Sequence, residues 1–331
     1  MQIDLRTVTI KPLRQTFDHI ARRFGDKPAS RYQEGTYDIQ QTDIFHYRPM
    51  WEPDKVLFDK TRTCIEMKDW YALKDPRQYY YGAYTIARAR QQEAAESSFD
   101  MIEERGLAAL VPAELKQIAL DILVPMRHME WGGNMGNSYI SAYGYGTAIT
   151  QPCLYHAMDH LGVAQYLTRI GLVLDSPAAL DTAKDAWMNC PNWQPMRQHV
   201  ENLLVLQDWF EIFVAQNFVL EGLAYPLIFD HLDSKFSVGG ATAISMMTRF
   251  MAEWTAETAK WIDAQIKVAA AESAENKAQI SAWVSQYRSA TLDALKPLAV
   301  RAFGDQADAI LGEVLSEFNA RCKKAGLTVQ E

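Results

Sequence analysis

From Arg77 to Lys324 the chain reads almost without interruption as long helices, and that pattern decides the fold class before any motif is considered. The stretch RQYYYGAYTIARARQQEAAESSFDMIEER has no proline and one glycine, which predicts one long helix stopped by Gly106. Val111-Pro112-Ala113-Glu114 opens the next, with proline in a first turn that tolerates its missing N–H. Further helices are expected over about 150–171, after Asp175-Ser176-Pro177, from Gln198 to Asp230 and from Thr242 to Lys267. Shorter ones are expected over 278–294 and 305–324. Strand-like alternation is nearly absent, and there is no fixed-period repeat. The expected fold is all-α, a bundle of long core helices with extra, shorter flanking ones.

Residues 1–75 behave differently. Pro12, Pro28, Pro49, Pro53 and Pro76 punctuate this segment and its surroundings, and polar runs such as RYQEGTYDIQQTD separate the apolar clusters. Long helices are not expected there. Yet Phe45, Tyr47, Trp51, Phe58, Trp70 and Tyr71 are more aromatic residues than a disordered tail carries. The segment is read as an extended, Pro-rich arm, ordered by lying on another surface. That surface is either its own helical domain, 76–331, or a partner subunit.

Composition narrows the function classes. With a formal net charge of −8, the chain offers no general attraction to nucleic acid or to anionic lipid. The pairs Arg22–Arg23 and Lys323–Lys324 are too short to reverse that. No Asp, Glu, Lys or Arg occurs from Trp131 to Met158, but Gly, Asn, Ser, Gln and Pro recur throughout. This is no membrane span; it reads as helix buried on all sides within protein. Asp4, Arg6 and Lys11 stand where an export signal would need its apolar run. Cys64, Cys153, Cys190 and Cys322 form no C-x-x-C and read as reduced thiols, so the expected location is the cytoplasm.

Long helices with a buried polar seam raise the possibility of a carboxylate-bridged two-iron site. Such a site draws Glu-x-x-His from two helices, because residues three apart share a helix face. No histidine here has Glu three residues before it. Thr16 precedes His19 at that spacing, Pro125 precedes His128, Cys153 precedes His156, Ala157 precedes His160, Met196 precedes His199 and Ile228 precedes His231. His46 follows Asp43, but in the arm. His156 and His160 are four apart and can face one way on a helix, yet Ala157 replaces the Glu of a zinc-protease motif and no third ligand is evident. Phosphate-loop, nucleophile-elbow and dinucleotide fingerprints are missing, Gly144-Tyr-Gly146 being only a fragment of the last. Glu103, Glu211, Glu221 and Glu253 stand on core helices and are expected to be paired, since a lone buried carboxylate is costly.

Three long segments carry a resemblance. DWYALKDPRQYYYGAYTIARARQ (69–91), LVPMRHMEWGGNMGNSYISAYGYGTAI (123–149) and QDWFEIFVAQNFVLEGLAYPLIFD (207–230) resemble the β subunit of the hydroxylase component of bacterial multicomponent monooxygenases. The match is nearer to the phenol hydroxylase branch than to the toluene branch. The resemblance implies a ferritin-like fold and a dimer of αβγ units. It places a di-iron centre in the α subunit, where O2 is activated to hydroxylate an aromatic ring. It also implies a reductase with FAD and a [2Fe–2S] cluster, fed by reduced nicotinamide, and a small regulatory protein. The β subunit is then a non-catalytic relative of α, with no catalytic, cofactor-binding or metal-ligating residue. By the same resemblance, Pro125-Met126-Arg127-His128 matches one lost Glu-x-x-His, and Glu253-Trp254-Thr255-Ala256 lies near the other.

Two other readings remain open from sequence. One is a self-sufficient helical metal-dependent oxidase with an unusual ligand set drawn from His128, Glu130, His156 and His160. The other is a stand-alone helical protein that binds a small ligand in its apolar interior.

Overall fold

A computed structural model describes residues 13–46 and 48–328. Asp4, Arg6, Lys11, Pro12 and Tyr47, named above, lie outside the described residues. Among the described residues there is no strand, and the all-α expectation holds.

The arm is less extended than expected. It forms two short helices, α1 (Asp18–Phe24) and α2 (Arg31–Thr36). α2 starts in a capping box, in which the Ser30 side chain and the Gln33 backbone, and the Gln33 side chain and the Ser30 backbone, satisfy each other. Beyond α2 the arm lies on its own helical domain. The Gln40 amide spans the turn at Gly144 and Gly146, donating to one backbone carbonyl and accepting from one N–H. Trp70 packs against Trp209 and Tyr145. Ile44, Met50 and Trp51 remain exposed.

Nine helices complete the described chain. α3 (Tyr81–Glu104) ends where Gly106 takes a left-handed conformation, as the sequence predicts. α4 (Ala113–Tyr143) continues through Pro125, although a proline inside a helix tends to bend or break it. The reason lies one turn back. Proline removes the N–H that would bond the Asp121 carbonyl, and the Trp193 indole N–H donates to that carbonyl instead, at 2.9 Å. α5 (Thr147–Leu174) lies antiparallel beside α4, and α6 (Pro177–Asn189) crosses both.

The single helix expected from Gln198 to Asp230 is two. α7 (Gln194–Leu203) stops, and α8 (Trp209–Val238) restarts under Asp208. The Asp208 carboxylate accepts from the N–H groups of Phe210 and Glu211 and also from that of Cys64 in the arm. α8 is apolar and long enough to cross a membrane by length and composition, but 94% of its apolar window is buried inside the protein. It contains two π-helical segments, Phe213–Leu220 and Pro226–Leu232. α9 (Thr242–Glu272) and α10 (Ala274–Phe303) follow, α10 being much longer than the sequence pattern indicates and passing through Pro297. α11 (Ala307–Lys324) closes the domain. Helices α4, α5, α8 and α9 surround the centre of the molecule.

Candidate functional site

The polar residues at that centre are only some of those the sequence pattern singles out. His128 points out of the four-helix core. It is half-buried, stacked on Trp187 of α6 at 5.6 Å, and receives the Arg127 Nε–H at 3.4 Å. Burial and the neighbouring Arg127 and Lys184 push its pKa down to about 4. Glu253 is exposed and pairs with Arg249 one turn back. Glu103 is exposed and pairs with Arg169, and Glu211 accepts from the Tyr287 hydroxyl at 2.6 Å. Asp43 and His46 lie exposed in the arm.

The core instead gathers Glu130 from α4, His156 and His160 from α5, and Glu221 from α8, all essentially without solvent contact. His160 Nδ1 lies 2.6 Å from Glu130 Oε2. Its other nitrogen, Nε2, lies 3.3 Å from Glu221 Oε1, off the line of a hydrogen bond. His156 Nε2 faces both oxygens of Glu221 at 3.0 and 2.9 Å, so Nε2 carries the proton it donates; its Nδ1 has no hydrogen-bond partner. The Tyr225 hydroxyl donates to Glu130 at 3.1 Å.

The helix geometry explains the grouping. Residues 156 and 160 are one turn apart and share a face. Glu130 is two positions from His128, about 200° around the helix, so one faces the core when the other faces α6. Gly133 is needed on α4 because a Cβ there would stand 2.5 Å from His160 Cε1. On the α8 side, Asn137 and Asn217 exchange two amide hydrogen bonds at 2.9 and 2.8 Å across the first π segment. A π turn widens the helix locally and re-aims the side chains that follow it, here towards Glu221.

The electrostatics follow from burial and pairing. Burial opposes charge on His160, but Glu130 and Glu221 outweigh it and raise its pKa to about 10. Burial also works against the charged form of Glu221, and the two imidazoles overcome it, lowering the pKa to about 2. For Glu130 burial prevails and raises the pKa, and for His156 burial prevails and lowers it. Carboxylates and imidazoles thus answer one another in the cluster, while His156 Nδ1 and His160 Nε2 stay without a hydrogen-bond partner.

One position before His160 begins a second network. Asp159 takes a bidentate bond from Arg88 at 2.7 and 2.8 Å, one from the Tyr84 hydroxyl at 2.8 Å and one from the Trp254 indole at 2.9 Å. Asp159 thereby ties α3, α5 and α9 together. A cleft of about 300 Å3 lies beside it between the same three helices, and another of about 230 Å3 between α8, α9 and α11 has Glu221 and Tyr225 in its wall.

The donor set can be tested against metals. His156, His160 and Glu221 bring three ligand-type atoms within 4.8 Å of one another, the kind of set one ion takes. A two-iron centre of the bundle type needs four carboxylates and two histidines from four helices. Here the fourth helix, α9, offers none: Trp254 and Trp261 stand against His156 at ring distances of 5.4 and 5.6 Å. The residues do not fit a two-iron site.

Sequence reasoning therefore names all four residues, Glu130, His156 and His160 in one candidate set and Glu221 as a core-helix acid expected to be paired, but it does not bring Glu221 to the histidines and wrongly adds His128. The signal for that pairing is the setting of Glu221 in NFVLEGLA, a lone acid in an apolar helical run.

Comparison with known proteins completes the picture. The family model described as Methane/Phenol/Alkene Hydroxylase matches residues 51–273. The chain is 46% identical over 333 residues to the phenol 2-monooxygenase oxygenase component DmpL of Pseudomonas sp. (strain CF600), covering 100% of both. It is 24% identical to the toluene-4-monooxygenase hydroxylase component subunit beta of Ectopseudomonas mendocina, over 88% of this chain and 89% of that one. Among solved structures, a chain of the xenon-pressurised phenol hydroxylase from Pseudomonas sp. OX1 superposes with a TM-score of 0.93 and 44% identity, over 99% of each chain. The fold is the ferritin-like helical fold of these hydroxylase subunits, and the chain belongs to the methane/phenol/alkene hydroxylase family, nearer its phenol hydroxylases than its toluene monooxygenases.

Proposed function

We propose that this chain is the non-catalytic β subunit of the oxygenase component of a phenol hydroxylase. The observation that carries the reading is the fourth helix of the core. Trp254 and Trp261 fill the side from which α9 would have to supply a carboxylate and an imidazole. The residues that remain, Glu130, His156, His160 and Glu221, bind one another and hold the bundle together. On this reading the di-iron centre lies in an α subunit, and the hydroxylase is a dimer of αβγ units. A reductase with FAD and a [2Fe–2S] cluster brings electrons from reduced nicotinamide, and a regulatory protein completes the system.

Co-expression with candidate α and γ chains tests this. The three should co-purify in fixed stoichiometry, aromatic hydroxylation should require this chain, and the iron should follow α. The triad His156, His160 and Glu221 favours a second reading, in which the chain loads one ion of its own and oxidises a substrate alone. Hydroxylation by this chain without α supports that second reading and ends the first.

A further inference from the structure

The core that cannot hold two irons has the donors for one ion of another kind. A buried polar atom without a partner is costly, and two of them stand on neighbouring rings, His156 Nδ1 and His160 Nε2. His160 Nε2 lies 3.3 Å from Glu221 Oε1 without making a hydrogen bond. His156 Nε2 lies 3.0 and 2.9 Å from the two oxygens of the same carboxylate. Donor atoms that each lie about 2.0–2.1 Å from a tetrahedral ion stand about 3.3 Å apart. The His160 pair already has that spacing. His156 needs to draw back by only a few tenths of an ångström.

We propose that His156, His160 and Glu221 bind one zinc ion, which ties α5 to α8. The proposal rests on the non-catalytic function proposed above, and the ion does no redox chemistry. Two imidazoles and both oxygens of one carboxylate supply four donor atoms, the number a closed zinc site takes. A 2-His-1-carboxylate set that activates O2 needs open positions on its iron. Here Trp254 stands against both rings at 5.4 and 5.8 Å, and Trp261 against His156 at 5.6 Å, so bulky indoles occupy that side. A site of nitrogen and oxygen donors also binds zinc more tightly than iron(II). Glu130 gives His160 the support a ligand imidazole needs. It accepts the Nδ1–H at 2.6 Å, is itself held by the Tyr225 hydroxyl at 3.1 Å, and so leaves Nε2 turned towards Glu221. The carboxylates of Glu130 and Glu221 together balance one divalent ion where solvent does not reach. Uptake exchanges protons on the ring nitrogens for the ion. The cleft of about 230 Å3 between α8, α9 and α11, with Glu221 in its wall, gives the ion a way in.

The test uses the full chain and the assembled hydroxylase, each purified from medium containing both zinc and iron. Elemental analysis should find one zinc per copy of this chain. Zinc-edge X-ray absorption should show nitrogen and oxygen neighbours at about 2.0–2.1 Å, with the scattering of imidazole. Stripping the zinc with a chelator should lower the melting temperature, and added zinc should restore it. Glu130→Gln keeps all three ligands and should weaken zinc binding about 10- to 100-fold. His156→Ala should abolish it, and His199→Gln, a buried histidine outside the cluster, should leave it unchanged. Circular dichroism shows which variants are folded, and if His156→Ala is not, the affinity of Glu130→Gln decides. A folded wild-type chain without zinc, whose melting zinc does not raise, overturns the proposal and leaves the proposed function standing. Zinc held at full affinity by folded Glu130→Gln overturns it too, because the ion then sits elsewhere. Iron in this triad, with hydroxylation by the chain alone, overturns both.

Discussion

Removing the Glu221 carboxylate should be among the most damaging single changes available in this protein. Glu221 faces His156 at 2.9 and 3.0 Å and His160 at 3.3 Å, and all three side chains are at most 4% exposed. In Glu221→Ala the His156 N–H loses its acceptor and His160 keeps its proton against a single remaining carboxylate. Leaving one partner of a buried pair stranded costs about 3–5 kcal/mol. Glu253→Ala removes an exposed acid on the neighbouring helix and should stay within about 0.5 kcal/mol of wild type. Urea unfolding of the chain, followed by far-UV circular dichroism, measures both. In the double variant His156→Ala/Glu221→Ala the loss should fall short of the sum of the singles by at least about 1 kcal/mol, since both remove one shared contact. If Glu221→Ala unfolds no more easily than Glu253→Ala, the cluster does not hold the bundle together and the reasoning is wrong.

Acid should destabilise the fold through His199. Its ring is buried, with the Thr291 hydroxyl at 3.0 Å, and burial lowers its pKa to about 4. Between about pH 6.5 and 4 the unfolded chain binds the extra proton, so His199 contributes up to about 3 kcal/mol above that window and loses it as pH falls. Stability measured against pH should be flatter in His199→Gln. Gly133→Ala, normally favourable within a helix, should here cost about 1–3 kcal/mol in chemical unfolding, because the new methyl meets a His160 ring held between two carboxylates. Asp208→Ala removes the α8 cap and the Cys64 bond together and should cost about 1–2 kcal/mol, with the arm released first in hydrogen exchange.

The helices were legible in the sequence wherever their stops are local chemistry. Gly106 and Ser176-Pro177 mark ends by backbone preference alone. Pro125 misleads because its helix survives through a distant group, Trp193, which no local pattern announces. The break before α8 is written in Asp208, an N-cap easily hidden between two apolar runs. For the core cluster, spacing within one helix was readable and pairing between helices was not. His156 and His160 follow from the i, i+4 rule, but Glu130 and Glu221 reach them only through the packing of α4 and α8. His128 attracts attention as the retained half of a lost Glu-x-x-His, while the helical turn sends it to Trp187 instead. The stretch from 131 to 158 reads from sequence as buried on all sides, but Trp131, Met135, Leu154 and Met158 stand partly exposed.

The most direct measurement is the metal content of each chain of the purified hydroxylase, separated after assembly in iron-replete medium. The account predicts two irons accompanying the partner and no stoichiometric iron on this chain. Two irons on this chain, with hydroxylation in the partner's absence, would contradict it.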